Sequence, residues 1–276
     1  MMSQLAEITS QIKDYNQTIT QLTNQVAELT TKVDEMTGDV VSVGKCGADI
    51  NYVLYSDGRL ILKGTGAMYD YMGAYETSGN KSPFCENDNI TSVVVSEGIT
   101  TVGEYAFQYC NNLKTATLPT TLRTIKRNSF IPHIDGLTEI TIPSKVTEIA
   151  KSAFAGTAIK SLTIPASVTT VGEQAFGECQ KLETVRYSGK VIGDRMFVRC
   201  IKLKNFTITK STTELIGGCF NYCESLTEIT YEGSLAEWSA VKKNANWDGH
   251  SSSTVDSPLA WMDIWNMMQI RKRGRK

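Results

Sequence analysis

The sequence predicts a mixed α and β protein, an N-terminal coiled-coil helix followed by a β-rich solenoid of stacked repeats. Three observations predict it. An unbroken three-four apolar spacing runs through the first 36 residues, and two apolar markers recur about every 23 residues further on. In between, residues 137–179 say nearly the same thing twice, as LTEITIPSKVTEIAKSAFAGT and then AIKSLTIPASVTTVGEQAFGEC.

The helix comes first. Its apolar residues are Leu5, Ile8, Ile12, Tyr15, Ile19, Leu22, Val26, Leu29, Val33 and Met36, alternating steps of three and four. This is a heptad seam, narrower than the apolar face of an ordinary surface helix. Five heptads extend about 50 Å at 1.5 Å per residue. Gln, Thr and Asn dominate the flanking positions, where Glu and Lys usually select a partner by charge, so the strand suits self-association. A parallel homotrimer is expected, with a dimer as the alternative. Gly38, the residue type favoured just past a helix end, closes the segment.

The solenoid rests on two rulers. Phe stands at 107, 130, 154, 176, 197 and 220; a second apolar series stands at 90, 113, 137, 159, 182, 203 and 226. Such a period marks a repeat array. Within one unit, Leu137, Ile140 and Ile142 point inward and Thr141 outward, in a short strand closed by Pro143. Val146, Ile149, Ala153 and Phe154 turn inward from the returning arm. Seven such side chains do not offset the ordering of some 23 residues, so one copy does not fold alone. Stacked copies close each other's open faces.

The pattern LTxITIPxxVTxIxxxAFxxC resembles the BspA-like leucine-rich repeat, closely at 137–179 and recognisably from about 90 to 232. Residues 46–71 resemble the β-rich unit that often precedes such arrays. Residues 231–249 resemble the terminal cap, with Trp238 and Trp247 over the last repeat. The unit at 113–136 departs by carrying Ser129-Phe130 and an inserted IPHIDG, and the unit at 182–202 lacks the strand-ending Pro. The resemblance implies a surface-exposed binding or adhesion module, not a catalyst. The expected organisation is a coiled-coil stalk at 1–38, a β-rich unit at 39–89, leucine-rich repeats at 90–232, a cap at 233–257 and a docking segment with a basic tail at 258–276.

Chemistry-bearing residues are sparse. Cys110, Cys179, Cys200 and Cys223 each follow a marker Phe by three, which makes them buried ladder residues and not zinc ligands. A Cys46–Cys85 disulfide is one option that spacing does not decide. His133 and His250 have no spacing that ties them to a nucleophile, and the GTG at 64–66 reads as a strand-edge turn and not a phosphate loop. No catalytic residue, cofactor or metal is expected. The candidate ligand face is the row of outward strand positions, Thr117, Thr141, Thr163, Arg186, Thr207 and Thr230, about 5 Å apart on neighbouring strands. Threonine also simply suits a solvated strand face.

Net charge is −1, and the last six residues, RKRGRK, hold five of the basic groups, which leaves a body of net −6. Nucleic acid is therefore not expected as a partner. Trp261, Ile264, Trp265 and Met268 share one helical face and form a candidate docking patch. The N-terminus lacks the basic and apolar regions of a secretory signal, and no run approaches a membrane span. An oligomeric stalk with recognition heads but no export signal fits a bacteriophage tail or head fibre or decoration protein. Such a protein, made in host cytoplasm, would contact other virion proteins and a host surface protein or glycan. The alternative is a cellular adhesion or scaffold protein at the cell surface or in the cytoplasm.

Overall fold

The computed structural model describes residues 12, 15, 17–26, 38–77, 79–133, 135–244 and 246–247. Residues 17–26 are helical, and Ile12, Tyr15, Ile19, Leu22 and Val26 are all exposed in the single chain. The rest of the expected seam, Leu5, Ile8, Leu29, Val33 and Met36, lies outside the described residues. The fold that is described is predominantly a β-solenoid.

It begins with β1 (Val40–Tyr55) and β2 (Arg59–Met68), paired antiparallel. Sixteen extended residues would span roughly 50 Å, yet the Ser56 N–H donates to the Asp39 carbonyl, so β1 doubles back on itself. β2 then starts both sheets of the solenoid. Its first half, Arg59–Leu62, pairs with β3 (Ser92–Val95), and its end, Gly66–Ala67, pairs with β4 (Ile99–Val102). The chain turns the corner at Gly64, where φ is +139° and a Cβ would lie 1.8 Å from the Asp49 carbonyl oxygen. Only glycine fits there. The GTG is thus an internal corner of a strand and not the edge turn its composition suggests.

Every later coil repeats the alternation, one strand to each sheet. β5 (Thr115–Thr117) and β6 (Thr124–Ile125) are followed by β7 (Glu139–Ile140) and β8 (Glu148–Ile149), then by β9 (Ser161–Ile164) and β10 (Thr170–Val171). β11 (Thr184–Tyr187) and β12 (Val191–Ile192) precede β13 (Asn205–Ile208) and β14 (Glu214–Leu215). β15 (Glu228–Tyr231), a short helix (Leu235–Ala240) and β16 (Lys242–Lys243) close the described array. Where strands of neighbouring coils pair, they pair in parallel. A capping box at Ser234 and Glu237 starts the helix, and its Trp238 is buried.

A third side, the arc that carries the marker Phe, has its own hydrogen-bond ladder. The N–H groups of Gln174, Phe176 and Glu178 donate to Asp194, Met196 and Val198 of the next coil. Alternate residues pair because those two places from Phe, on either side, adopt left-handed backbone. Tyr105 and Tyr109, Gln174 and Glu178, and Arg195 and Arg199 all have φ between 48° and 60°. Such a conformation costs a non-glycine residue roughly 1–2 kcal/mol; each of these N–H groups gains a partner in the neighbouring coil in return.

Inside the arcs the phenylalanines stack. Successive centroids from Phe84 through Phe107, Phe130, Phe154, Phe176, Phe197 and Phe220 lie 5.1–6.1 Å apart, with rings within 22° of parallel. Edge-on rings finish the column, Tyr52 against Phe84 and Trp247 against Phe220. The sequence periodicity began at Phe107; the packing adds Phe84 as an earlier rung. Beside the column each thiol donates to the carbonyl of the preceding Phe: Cys110 to Phe84 at 2.9 Å, Cys179 to Phe154 at 3.3 Å, Cys200 to Phe176 at 3.2 Å and Cys223 to Phe197 at 3.1 Å. Burial pushes the Cys223 thiol up to about 12 and the Cys110 thiol higher. Cys46 and Cys85 are free thiols, so the disulfide option falls.

Phe154 is 0% exposed. Phe154→Ala should cost about 3–5 kcal/mol, read as a shift in the urea midpoint with an unchanged slope. A thiol reagent must reach the sulfur, and six of the seven thiols are buried. In the native protein only Cys85, which is partly exposed, should therefore react with a thiol reagent, and all seven should react after denaturation.

Candidate ligand face

The outer face of the first sheet carries the predicted row. Thr117, Thr141, Thr163 and Arg186 are exposed, and Thr207 and Thr230 are half-buried. Register aligns them: Arg186 stands between Thr163 and Thr207, and Thr207 beside Thr230. Period-two alternation puts these residues outward while Leu162, Ile164, Val185 and Tyr187 fill the interior. Ile140, expected inside, is only half-buried, because it lines the groove that opens beside β7.

A second outward row was missed by the sequence reading. Thr115 is in register with Glu139, and Ser161 with Thr184 and Asn205. The signal was present, since a residue two places before an outward one also points outward. The Thr184 hydroxyl donates to Ser161 at 3.0 Å along this row. Arg186 makes a two-pronged ion pair with Glu232 across two coils, its Nη2 2.7 Å from the carboxylate.

The two rows are not uniform along the array. The ladder of the first sheet ends at β7 and resumes at β9. A groove of about 680 Å³ opens there, lined by Thr115, Thr117, Glu139, Thr141, Lys160 and Ser161 among others. Hydroxyls that both donate and accept, one carboxylate and one ammonium make a surface suited to a polyhydroxylated or peptide ligand. Among the described residues no cluster of three or more His, Cys, Asp or Glu is placed to hold a metal ion. No described helix is long and apolar enough to cross a membrane.

The remaining candidates are placed as follows. His133 stacks on Tyr109, with centroids 3.5 Å apart. His250 and the docking residues Trp261, Ile264, Trp265 and Met268 lie outside the described residues.

The BspA type leucine rich repeat region matches the chain in six copies, over residues 77–191 and 132–242. The chain belongs to this family. The match starts before Phe84, in agreement with the extra rung of the ring column. The chain matches no curated protein. Among solved structures it is similar to a leucine-rich repeat protein from Eubacterium ventriosum at 16% identity, covering 82% of this chain and 98% of that one with a TM-score of 0.37. It is similar also to a leucine rich repeat protein of T. pallidum at 21% identity, covering 65% and 90% with a TM-score of 0.45. A leucine rich cell surface protein from Faecalibacterium prausnitzii is 17% identical over 77% of this chain and 99% of that one, with a TM-score of 0.21.

Thr117 and Thr141 are solvated, so replacing both with Arg should block the groove and change stability by no more than about 0.5 kcal/mol per site. A urea titration checks this; a larger loss would mean that the hydroxyls hold the sheet together.

Proposed function

We propose that this BspA-type repeat protein is a non-enzymatic recognition module that adheres to a surface protein or glycan through the outer face of its first sheet. The observation that carries the reading is the pair of registered polar rows, which opens into a groove where the ladder is interrupted. A rigid array of hydroxyls at strand spacing suits a ligand that is itself periodic. Affinity at one such wet, shallow face is modest, because polar groups exchange water for ligand with little net gain. Multivalency makes up for this: several heads on one stalk raise avidity by effective concentration.

The stalk is assigned to residues 1–38, as a parallel homotrimer in preference to a dimer. Five described residues of its seam, Ile12, Tyr15, Ile19, Leu22 and Val26, are exposed in the single chain, which suits burial against further copies. The finer reading is a tail or head fibre, or a decoration protein, of a bacteriophage virion. A cellular adhesion or scaffold protein is the alternative. The combination of heptads and recognition repeats supports the first; membership of the BspA type family accommodates both.

Light scattering on the full chain should give the mass of three copies, and Ile19→Asp with Leu22→Asp should reduce it to one; a monomeric parent chain defeats the stalk. Labelled full chain should bind saturably to some members of a panel of bacterial cells and extracted surface polysaccharides. The Thr117→Arg, Thr141→Arg variant should lose at least tenfold in that binding. Mass spectrometry of purified particles separates the two finer readings, since absence from particles ends the virion assignment.

A further inference from the structure

The inserted IPHIDG breaks the repeat on the arc side, away from the two sheets. Insertions in a regular array fall on one surface and often bear its binding chemistry. Here the insertion lays His133 on Tyr109, with rings 13° from parallel and 3.5 Å between centroids. Tyr75 leans against both, at 5.9 Å from Tyr109 and 6.3 Å from His133, with its hydroxyl 3.4 Å from the imidazole Nε2. The trio draws on three separate segments of chain, and Tyr75 is 74% exposed.

The backbone that carries each ring is anchored. The Ala74 N–H, next to Tyr75, donates to the buried Gln108 side chain at 2.8 Å, and Lys81 donates to the Ala74 carbonyl. The Tyr109 N–H donates to the Ile131 carbonyl at the start of the insertion. The His133 N–H donates to the Asn111 side chain at 2.9 Å, and that amide donates in turn to Asp88. Asp135 is tied to Lys181 at 2.7 Å. Rings that stack on one another from an anchored backbone lose less freedom on binding than isolated ones. In the next coil the corresponding arc position is Gly156, where an added Cβ would meet only Pro132, at 3.9 Å or more. His133 itself is exposed.

We propose that Tyr75, Tyr109 and His133 form a stacking platform for one hexopyranose ring of a surface glycan. A pyranose has a face of C–H groups whose partial positive charge suits the electron-rich face of an aromatic ring. Its hydroxyls find the Tyr75 hydroxyl and the imidazole Nε2. A proline-rich peptide fits less well, because its helical turn of about 9 Å needs furrows between splayed rings. These rings pack within 6.3 Å of one another. A nucleobase ligand is opposed by the acidic body of the chain. This site extends the recognition reading but uses none of the residues of the threonine face.

The test is a glycan array of glucose-, galactose-, mannose- and N-acetylhexosamine-terminated oligosaccharides, probed with the full chain beside an immobilised decaproline peptide. At least one oligosaccharide should bind, at least tenfold more weakly after Tyr75→Ala or His133→Ala, with Tyr75→Phe close to the parent. Thermal unfolding of the two Ala variants should stay near that of the parent, since the rings lie outside the Phe column. Binding that survives both substitutions but is lost in Thr117→Arg, Thr141→Arg overturns the platform and leaves the recognition reading standing. No oligosaccharide bound by the parent, or decaproline bound in its place, also overturns it.

Discussion

The structure depends on one column of phenylalanine rings. Each coil is too small to bury its own apolar side chains, so Phe107, Phe130, Phe154, Phe176 and Phe197 are each covered above and below by the equivalent ring. Close packing tolerates little change in volume at such positions. The rings stack at nearly the rise that strand pairing sets, so the column and the hydrogen-bond ladders run along one axis. The ladder of the first sheet breaks between β7 and β9, and that of the second between β10 and β12. The thiols that follow the rings belong to the same device, since each donates to the carbonyl of the previous Phe.

An infinite column would leave two bare ends. At one end β2 serves as the first strand of both sheets, and Tyr52 meets Phe84 edge-on. At the other, Trp247 meets Phe220 edge-on while Trp238 packs against both Tyr231 and Trp247. Terminal units of a solenoid need such covers because their outer faces have no neighbour. The rings that end the stack are turned edge-on to it, an arrangement aromatic pairs favour.

Function on such a scaffold lies outside the column. The interior varies chiefly among buried apolar side chains, such as Leu162, Val185, Phe206 and Ile229 at one register position. The polar differences between coils therefore appear mainly where side chains face outward or where residues are inserted. The first sheet shows one such place, the groove between β7 and β9. The arc shows another, at Tyr75, Tyr109 and His133. Both lie near the unit at 113–136, which departs most from the repeat pattern. A regular array with one irregular unit concentrates distinctive chemistry at that unit.

By itself the sequence determined the period, the inward residues, the family resemblance and the outward row from Thr117 to Thr230, because each follows from spacing alone. Phe84 kept the same period of 23 and was legible in principle, but its surroundings do not repeat. The tertiary structure alone decided that β2 feeds two sheets, that Tyr105, Gln174 and Arg199 hold left-handed backbone, and that Cys46 and Cys85 stay unlinked. It alone brought Tyr75 to His133, 58 positions apart. Periodicity records which side chains share an interior. Contacts between unlike segments leave no period, because they depend on how the chain closes in space.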